Sequence, residues 1–214
     1  MSRRPSRGKQ KMKRGVMAKR FVLGWASLFL LTCMLGGCSS NPKLVVAAED
    51  WVFEERAISI EIDAPADLNA LNGRPHTLVI GVYQLNDPNT FSGLATTREG
   101  AVELLGKGKI DDTVAHFRRI TVQPGESRVI LLSRAQSAQY VGLIMGYYGL
   151  QPGNDVHLFP IPAKPSERGL VEKGLVMLGL IADEAKARPD RLILRAELGR
   201  TGTKRVIQLD PEES

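Results

Sequence analysis

The hydrophobic pattern of this chain starts with one long apolar run and continues as many short ones. The first run spans 21–37 and is followed at once by Cys38. In Ala57–Ile62 apolar and polar residues alternate, and this two-residue period predicts a strand with one buried face. Thr77–Leu85 is apolar at nearly every position, which predicts a central strand that is buried on both faces.

More short strands follow along the chain. The pattern predicts them at His116–Val122, Arg128–Ser133, Tyr140–Tyr148, Arg191–Leu198 and Lys204–Leu209. Gln123–Glu126 places Pro and then Gly at the centre of a type II turn, so we predict that the first two of these strands form a hairpin. The last two are predicted to form a second hairpin across Gly199–Gly202. Of Tyr147 and Tyr148, one is expected to lie in the core.

One short helix is predicted between the strands. Thr96 and Glu99 have the spacing of a capping box, with Thr96 as the N-cap, and apolar residues follow at helical spacing. Gly106 and Gly108 are expected to end the helix, and Phe91 is expected to fold back on the core.

Two segments near the C-terminus are less regular. Gln151–Gly169 is rich in proline and is predicted to be a loop. Leu170–Ala187 fits both a helical and a strand period, and we favour a strand that runs into a helical turn. Because strands dominate and no β-α-β alternation is visible, the predicted fold is mainly β, an antiparallel β-sandwich with one or two short helices.

Charge divides the chain into two parts. The 214 residues carry 29 basic and 23 acidic side chains, but nine of the basic ones lie before residue 21 and no acid precedes residue 49. Without those nine, the remainder has 20 basic residues and a net charge of −3. A basic stretch before an apolar run is typical of a targeting signal, and the high overall pI therefore does not indicate nucleic-acid binding.

The apolar run ends in Leu35-Gly36-Gly37-Cys38, which resembles the lipobox of bacterial lipoproteins. On this interpretation 1–37 is a signal peptide with a true start at Met1 or Met17, Cys38 carries covalent lipid, and 38–50 is a short tether to a domain at 51–214. An uncleaved transmembrane anchor is the alternative, because 17 apolar residues reach the lower limit of a spanning helix. Both interpretations place the domain outside the cytoplasm.

The sequence offers little for catalysis or for metal binding. The three histidines are far apart, Cys38 is the one cysteine after the apolar run, and no nucleophile elbow, zinc-protease motif or phosphate-binding glycine loop is present. We therefore expect a protein without enzymatic activity, metal or cofactor apart from the lipid.

Several features in a fixed order resemble the outer-membrane lipoproteins of type VI secretion systems, over roughly Trp51 to Tyr148. They are the lipobox, Trp51, Ile58-x-Ile60-x-Ile62, Asp67-Leu68-Asn69, Gly73-Arg74-Pro75, Leu78–Leu85, Phe91, Val122–Gly125 and Ala138–Gly142. The tract Ala163–Arg188 shows no such likeness.

The resemblance implies a transthyretin-like β-sandwich that faces the periplasm and is held in the outer membrane by lipid. It also implies a partner, the periplasmic domain of the large inner-membrane subunit of the secretion machine, and a role in assembling the envelope-spanning membrane complex. The loop implicated in partner binding corresponds to Asp63–Arg74, with candidate residues Asp67, Leu68, Asn69, Asn72, Gly73 and Arg74. A polar loop that only caps its own turns, and a periplasmic module for a small ligand or cell-wall component, remain as alternatives.

Overall fold

A computed structural model describes residues 44–166, 174–175, 177–180 and 186–210. Within 44–166 and 186–210 the chain forms ten strands and three α-helices. The strands are β1 Glu54–Asp63, β2 Leu78–Leu85, β3 Val114–Val122, β4 Ser127–Arg134, β5 Tyr140–Met145, β6 Val156–Pro160, β7 Ala163–Pro165, β8 Ala187–Pro189, β9 Leu192–Glu197 and β10 Arg205–Leu209. The helices are α1 Asn89–Leu94, α2 Arg98–Lys107 and α3 Pro152–Asp155.

Eight of these strands form two four-stranded sheets. The first has the order β10-β9-β1-β4 and the second the order β3-β2-β5-β6, while β7 and β8 pair with each other. All pairings between these strands are antiparallel except that of β1 with β9, which is parallel. The predicted mainly-β antiparallel sandwich is confirmed, and so is the predicted hairpin of β9 and β10.

The main core lies between the two sheets. Ile58, Ile60 and Ile62 of β1 point inward and are at most 3% exposed, whereas Ser59 and Glu61 between them lie on the other face of the strand, as the alternation predicts. Opposite them lie apolar residues of β2 and β5, such as Leu78, Ile80, Val82 and Leu143. Burial of this two-sided apolar layer is the main force that holds the sheets together.

A second core explains why β2 is apolar on both faces. Tyr83 and Leu85 point away from the first core and pack with Phe91 of α1 and Leu104 of α2. The Tyr83 hydroxyl donates a hydrogen bond of 2.6 Å to the backbone carbonyl of Leu104, and burial raises the pKa of Tyr83 to about 12. The helices therefore cover the outer face of the second sheet.

The predicted hairpin of β3 and β4 is wrong. The turn itself forms, with a hydrogen bond of 3.1 Å from the Glu126 amide to the Gln123 carbonyl and a positive φ of 76° at Gly125. However, β3 pairs with β2 in one sheet and β4 pairs with β1 in the other. Turn chemistry predicts where the chain reverses, but whether the two strands pair or cross between sheets depends on which face of each is buried.

Two local predictions need correction and a third is confirmed. The N-cap of α2 is Thr97, whose hydroxyl accepts a hydrogen bond of 3.0 Å from the Gly100 amide, and Thr96 instead bonds back to Gly93. Phe91 folds back on the core as predicted, and the segment around it is a short helix. The region predicted as a loop from Gln151 contains α3 and the edge strand β6, whose five residues end at a proline.

Two predictions fall largely outside the described residues. The signal peptide, Cys38 and the first part of the tether belong to 1–43. Most of Leu170–Ala187 is likewise outside them, although Gly174, Leu175 and Met177 are helical. In the described part of the chain, no helix is both long enough and apolar enough to cross a membrane.

Candidate functional site: the loop between β1 and β2

The candidate loop ends in a tight two-residue turn. Leu71 and Arg74 exchange two backbone hydrogen bonds of 2.9 and 3.0 Å. Between them Asn72 and Gly73 have φ angles of 51° and 77°, which are the left-handed values that favour an Asn-Gly pair in such turns. The tip of the loop is therefore a closed turn with a defined backbone.

The base of the loop is buried. Leu68 is 0% exposed and Asn69 is 4% exposed. The Asn69 side-chain amide donates a hydrogen bond of 2.9 Å to the Thr77 carbonyl, and its oxygen accepts one of 3.0 Å from the Tyr148 amide. Both halves of the side chain thus connect the loop to the strands on which it sits.

Two neighbouring turns support the loop from the side. The Ala70 amide donates a hydrogen bond of 2.7 Å to the Arg200 carbonyl, in the turn between β9 and β10. The Gly125 amide donates one of 2.9 Å to the Pro65 carbonyl, from the turn between β3 and β4. An exposed ion pair between Asp67 and Arg200, at 3.9 Å, adds little stability at such exposure.

The six candidate residues therefore separate into two groups. Asp67, Asn72, Gly73 and Arg74 are exposed and available to a partner, while Leu68 and Asn69 are buried and hold the loop in place. The sequence pattern could not separate them, because Asp-Leu-Asn carries no periodic signal in a loop.

Two exposed apolar side chains of this region were not among the candidate residues. Leu71 is 42% exposed and Tyr148 is 50% exposed, and the Tyr148 ring meets the His76 ring edge-on with 5.2 Å between centroids. The neighbouring Tyr147 is buried, as expected for one of the pair, and its hydroxyl accepts a hydrogen bond of 3.0 Å from the Gly199 amide. Burial raises the pKa of Tyr147 to about 12.

These residues form a surface, which we call the loop surface, consisting of Asp67, Leu71, Asn72, Gly73, Arg74 and Tyr148. It combines one carboxylate, one guanidinium and two apolar side chains on a fixed backbone. Among the described residues, no group of three or more His, Cys, Asp or Glu side chains is placed to hold a metal ion. The arrangement suits recognition of another protein surface.

The loop surface lies at one end of the sandwich. Strand β1 runs from Glu54, which pairs with Arg134, to Asp63, which pairs with Ser127. We call the Asp63 end, where the loop begins, the loop end, and the Glu54 end, where the chain enters the domain, the tether end. Ten residues of strand separate the two ends by about 30 Å.

Comparisons with known proteins place these features in context. The chain is similar to the type VI secretion lipoprotein TssJ1 of Pseudomonas aeruginosa, at 14% identity and a TM-score of 0.48, with 74% of this chain and 97% of that one covered. It is also similar to Lip of Serratia marcescens, a membrane-bound component of the type VI secretion system, at 18% identity and a TM-score of 0.49, with 72% and 96% covered. A comparison with curated protein sequences finds no significant match.

A family model gives the stronger result. The model described as type VI secretion lipoprotein, with VasD, EvfM and TssJ among its members, matches residues 56–179. The match begins within β1, includes the whole candidate loop and β2 after it, and extends past the Tyr148 limit of the sequence resemblance. Because it takes in more than half of the 214 residues, this chain belongs to the type VI secretion lipoprotein family.

Proposed function

We propose that this protein is a non-enzymatic anchor in the outer membrane, attached by lipid on Cys38, whose loop surface binds the periplasmic domain of the large inner-membrane subunit. In this role it helps to assemble the envelope-spanning membrane complex. Membership of the type VI secretion lipoprotein family supports the setting. The proposal adds the outer-membrane location, the acylated cysteine and the identity of the contact surface.

The observation that carries the proposal is the separation of the two ends of β1. The tether enters beside Glu54, and the loop surface begins after Asp63, about 30 Å away along the strand. A protein that connects two membranes needs its lipid attachment and its partner-binding surface on opposite sides. This topology provides that arrangement within one strand.

The tether is short enough to keep the domain beside its membrane. Val46 already pairs with Ala187, and Ala48–Asp50 form a single 3₁₀ turn just before Trp51. Six residues lead from Cys38 to Leu44, and at full extension they span about 20 Å. The several acyl chains of a bacterial lipoprotein would hold such a domain firmly, because one chain alone binds reversibly.

The loop surface has the composition of a small binding site. Leu71 and Tyr148 expose apolar area next to Asp67 and Arg74, and aromatic and arginine side chains contribute most to the energy of protein interfaces. The closed Asn72-Gly73 turn and the buried Asn69 fix the backbone before binding. A fixed backbone lowers the entropy cost of association.

The direct test is the affinity for the purified periplasmic domain of the inner-membrane subunit from the same secretion system. The double variant Leu71→Ser, Arg74→Glu changes two exposed side chains and keeps the Asn-Gly turn. We expect it to weaken binding at least tenfold, or about 1.4 kcal/mol, because it removes apolar contact and reverses a charge.

A matched control uses exposed residues away from the loop surface. Val129→Ser with Arg118→Glu makes the same chemical changes on exposed strand positions of the two sheets. This control should bind within about twofold of the unmodified protein. Equal affinity for the loop variant and the unmodified protein would remove the loop surface from the interface.

A further inference from the structure

A polar cleft at the tether end holds a cluster of cationic side chains that the proposed function does not use. Its volume is about 450 Å³. Charged side chains from four separate segments line it, namely Asp50, Glu54, Arg134, Lys164, Lys186 and Arg188. The cleft lies between the tether, the end of β4 and the β7–β8 pair.

Arg134 differs from the other charged residues that line the cleft, because it is only 1% exposed. Its Nη2 donates a hydrogen bond of 3.1 Å to the Val52 carbonyl and forms an ion pair of 2.9 Å with the Glu54 carboxylate. The guanidinium carbon lies 5.9 Å from the centre of the Trp51 ring. Nε and Nη1 are also buried, and among the described residues neither has a hydrogen-bond partner.

Buried guanidinium N–H groups without partners are costly, and an oxyanion satisfies them well. Each unsatisfied donor destabilises the folded protein, and more so when the group is charged. Arginine presents its donors in a planar fork that suits two oxygens of one phosphate. Arg134 lines the cleft, and its two open donors are buried in the cleft wall.

The charge around Arg134 has the sign that such an anion needs. The cleft has four cationic and two anionic side chains on its wall. Lys164 pairs with Asp190 and Glu54 pairs with Arg134, whereas Lys186 and Arg188, and the remaining carboxylate Asp50, are exposed. An anion that reaches Arg134 would therefore pass between two exposed cations.

We propose that this cleft is a phosphate-binding site, in which Arg134 contacts the phosphate oxygens through Nε and Nη1 while Lys186 and Arg188 attract it from the rim. A phospholipid headgroup and a soluble phosphate share this chemistry. The site depends on the fold alone. Its proximity to lipid headgroups rests on the proposed acylation of Cys38, because Val46 of the tether pairs with Ala187, between the two rim cations.

The test uses the processed lipoprotein, purified from membranes in detergent. Trp51 and Trp25 are its two encoded tryptophans, so after removal of the leader Trp51 alone reports on the guanidinium beside it. Inorganic phosphate is titrated at constant ionic strength against chloride, and binding is followed by fluorescence and, independently, by calorimetry. We expect a saturable change with one phosphate bound per chain.

Charge reversal at the rim gives the critical comparison. Lys186→Glu with Arg188→Glu should weaken phosphate binding at least tenfold, while the control pair Arg118→Glu with Lys204→Glu, also exposed, should bind as the unmodified protein does. If the reversed pair fails to fold, Lys186→Ala with Arg188→Ala replaces it. The absence of saturable binding, or equal affinity in the rim variant and the control, overturns the proposal.

A second arm identifies the source of the phosphate. Dihexanoyl phosphatidylglycerol is titrated in place of inorganic phosphate, with dihexanoyl glycerol as the phosphate-free control. Competition between the lipid and inorganic phosphate for the site assigns it to a membrane headgroup. Phosphate binding without competition by the lipid assigns it to a soluble phosphate, and either result supports the site itself.

The same rim variant separates this inference from the proposed function. Lys186 and Arg188 belong to the tether end, so their reversal should leave the affinity for the periplasmic partner domain within about twofold of the unmodified value. Loss of phosphate binding with retained partner binding supports the inference. A protein that binds phosphate but not the partner domain would contradict the proposed function and leave the phosphate site standing.

Discussion

At the scale of single residues, Asn69 and Asn72 show how one residue type does two different tasks in one loop. Both have a positive φ, 48° and 51°, a conformation that asparagine tolerates better than most residues. Asn69 is buried and makes two hydrogen bonds to other segments, whereas Asn72 is exposed at the tip. The first residue holds the loop in place and the second forms its turn.

This contrast gives a stability prediction. Asn69→Ala should lower the free energy of unfolding by about 1–3 kcal/mol more than Asn72→Ala, because it leaves the Thr77 carbonyl and the Tyr148 amide without their partners. The strain of alanine at positive φ is common to both variants and cancels in the comparison. Urea unfolding followed by circular dichroism measures both values, and equal losses would show that the two hydrogen bonds contribute nothing.

At the scale of secondary-structure elements, the sequence predicts positions better than pairings. Alternation of apolar and polar residues predicts β1, and an unbroken apolar run predicts the central strand β2. Each pattern indicates directly which faces of the strand are buried. The turn at Gln123–Glu126 was also predicted, yet its flanking strands belong to different sheets. The parallel pairing of β1 with β9 joins segments far apart in the chain, and no local pattern carries that information.

The candidate site shows the same limit. The resemblance located the loop, and the Asn72-Gly73 turn could be expected from residue types. The burial of Leu68, the exposure of Leu71 and the choice of Tyr148 as the exposed member of the tyrosine pair could not, because they depend on contacts with strands and turns that are distant in sequence. The Arg134 cleft was missed for the same reason, since its lining residues come from four separate segments.

Packing between α1 and β5 gives a prediction at the element scale. A Cβ atom at Gly142 of β5 would lie 2.5 Å from Cζ of the buried Phe91 ring. Gly142→Ala should therefore lower the free energy of unfolding by about 1–3 kcal/mol through overpacking. Gly106 lies in helix α2 and has open space around it. Gly106→Ala should therefore raise the free energy of unfolding by about 0.5–1 kcal/mol. Thermal unfolding of both variants measures the difference, and similar melting temperatures would mean that α1 moves aside without cost.

At the scale of the whole molecule, the two ends of β1 have different surroundings. The loop end presents apolar and charged side chains on a fixed turn, and the tether end collects cationic side chains around a buried arginine. If lipid attaches at Cys38, the cationic end faces a membrane whose headgroups carry phosphate, and the loop end faces the periplasm. Residues 21–214 carry a net charge of −3, so a cluster of cations at the tether end differs in sign from the rest of the domain.

Everything in that orientation depends on acylation of Cys38, and Cys33 in the same apolar run provides a matched control. In cells given labelled palmitate, the unmodified protein and Cys33→Ser should incorporate label, and Cys38→Ser should not, because the modified thiol would be absent. The mature chain isolated from the first two should also begin at residue 38, as measured by mass spectrometry. An unlabelled wild-type chain that retains residues 21–37 would establish an uncleaved anchor instead, because 17 apolar residues reach the lower limit of a membrane span.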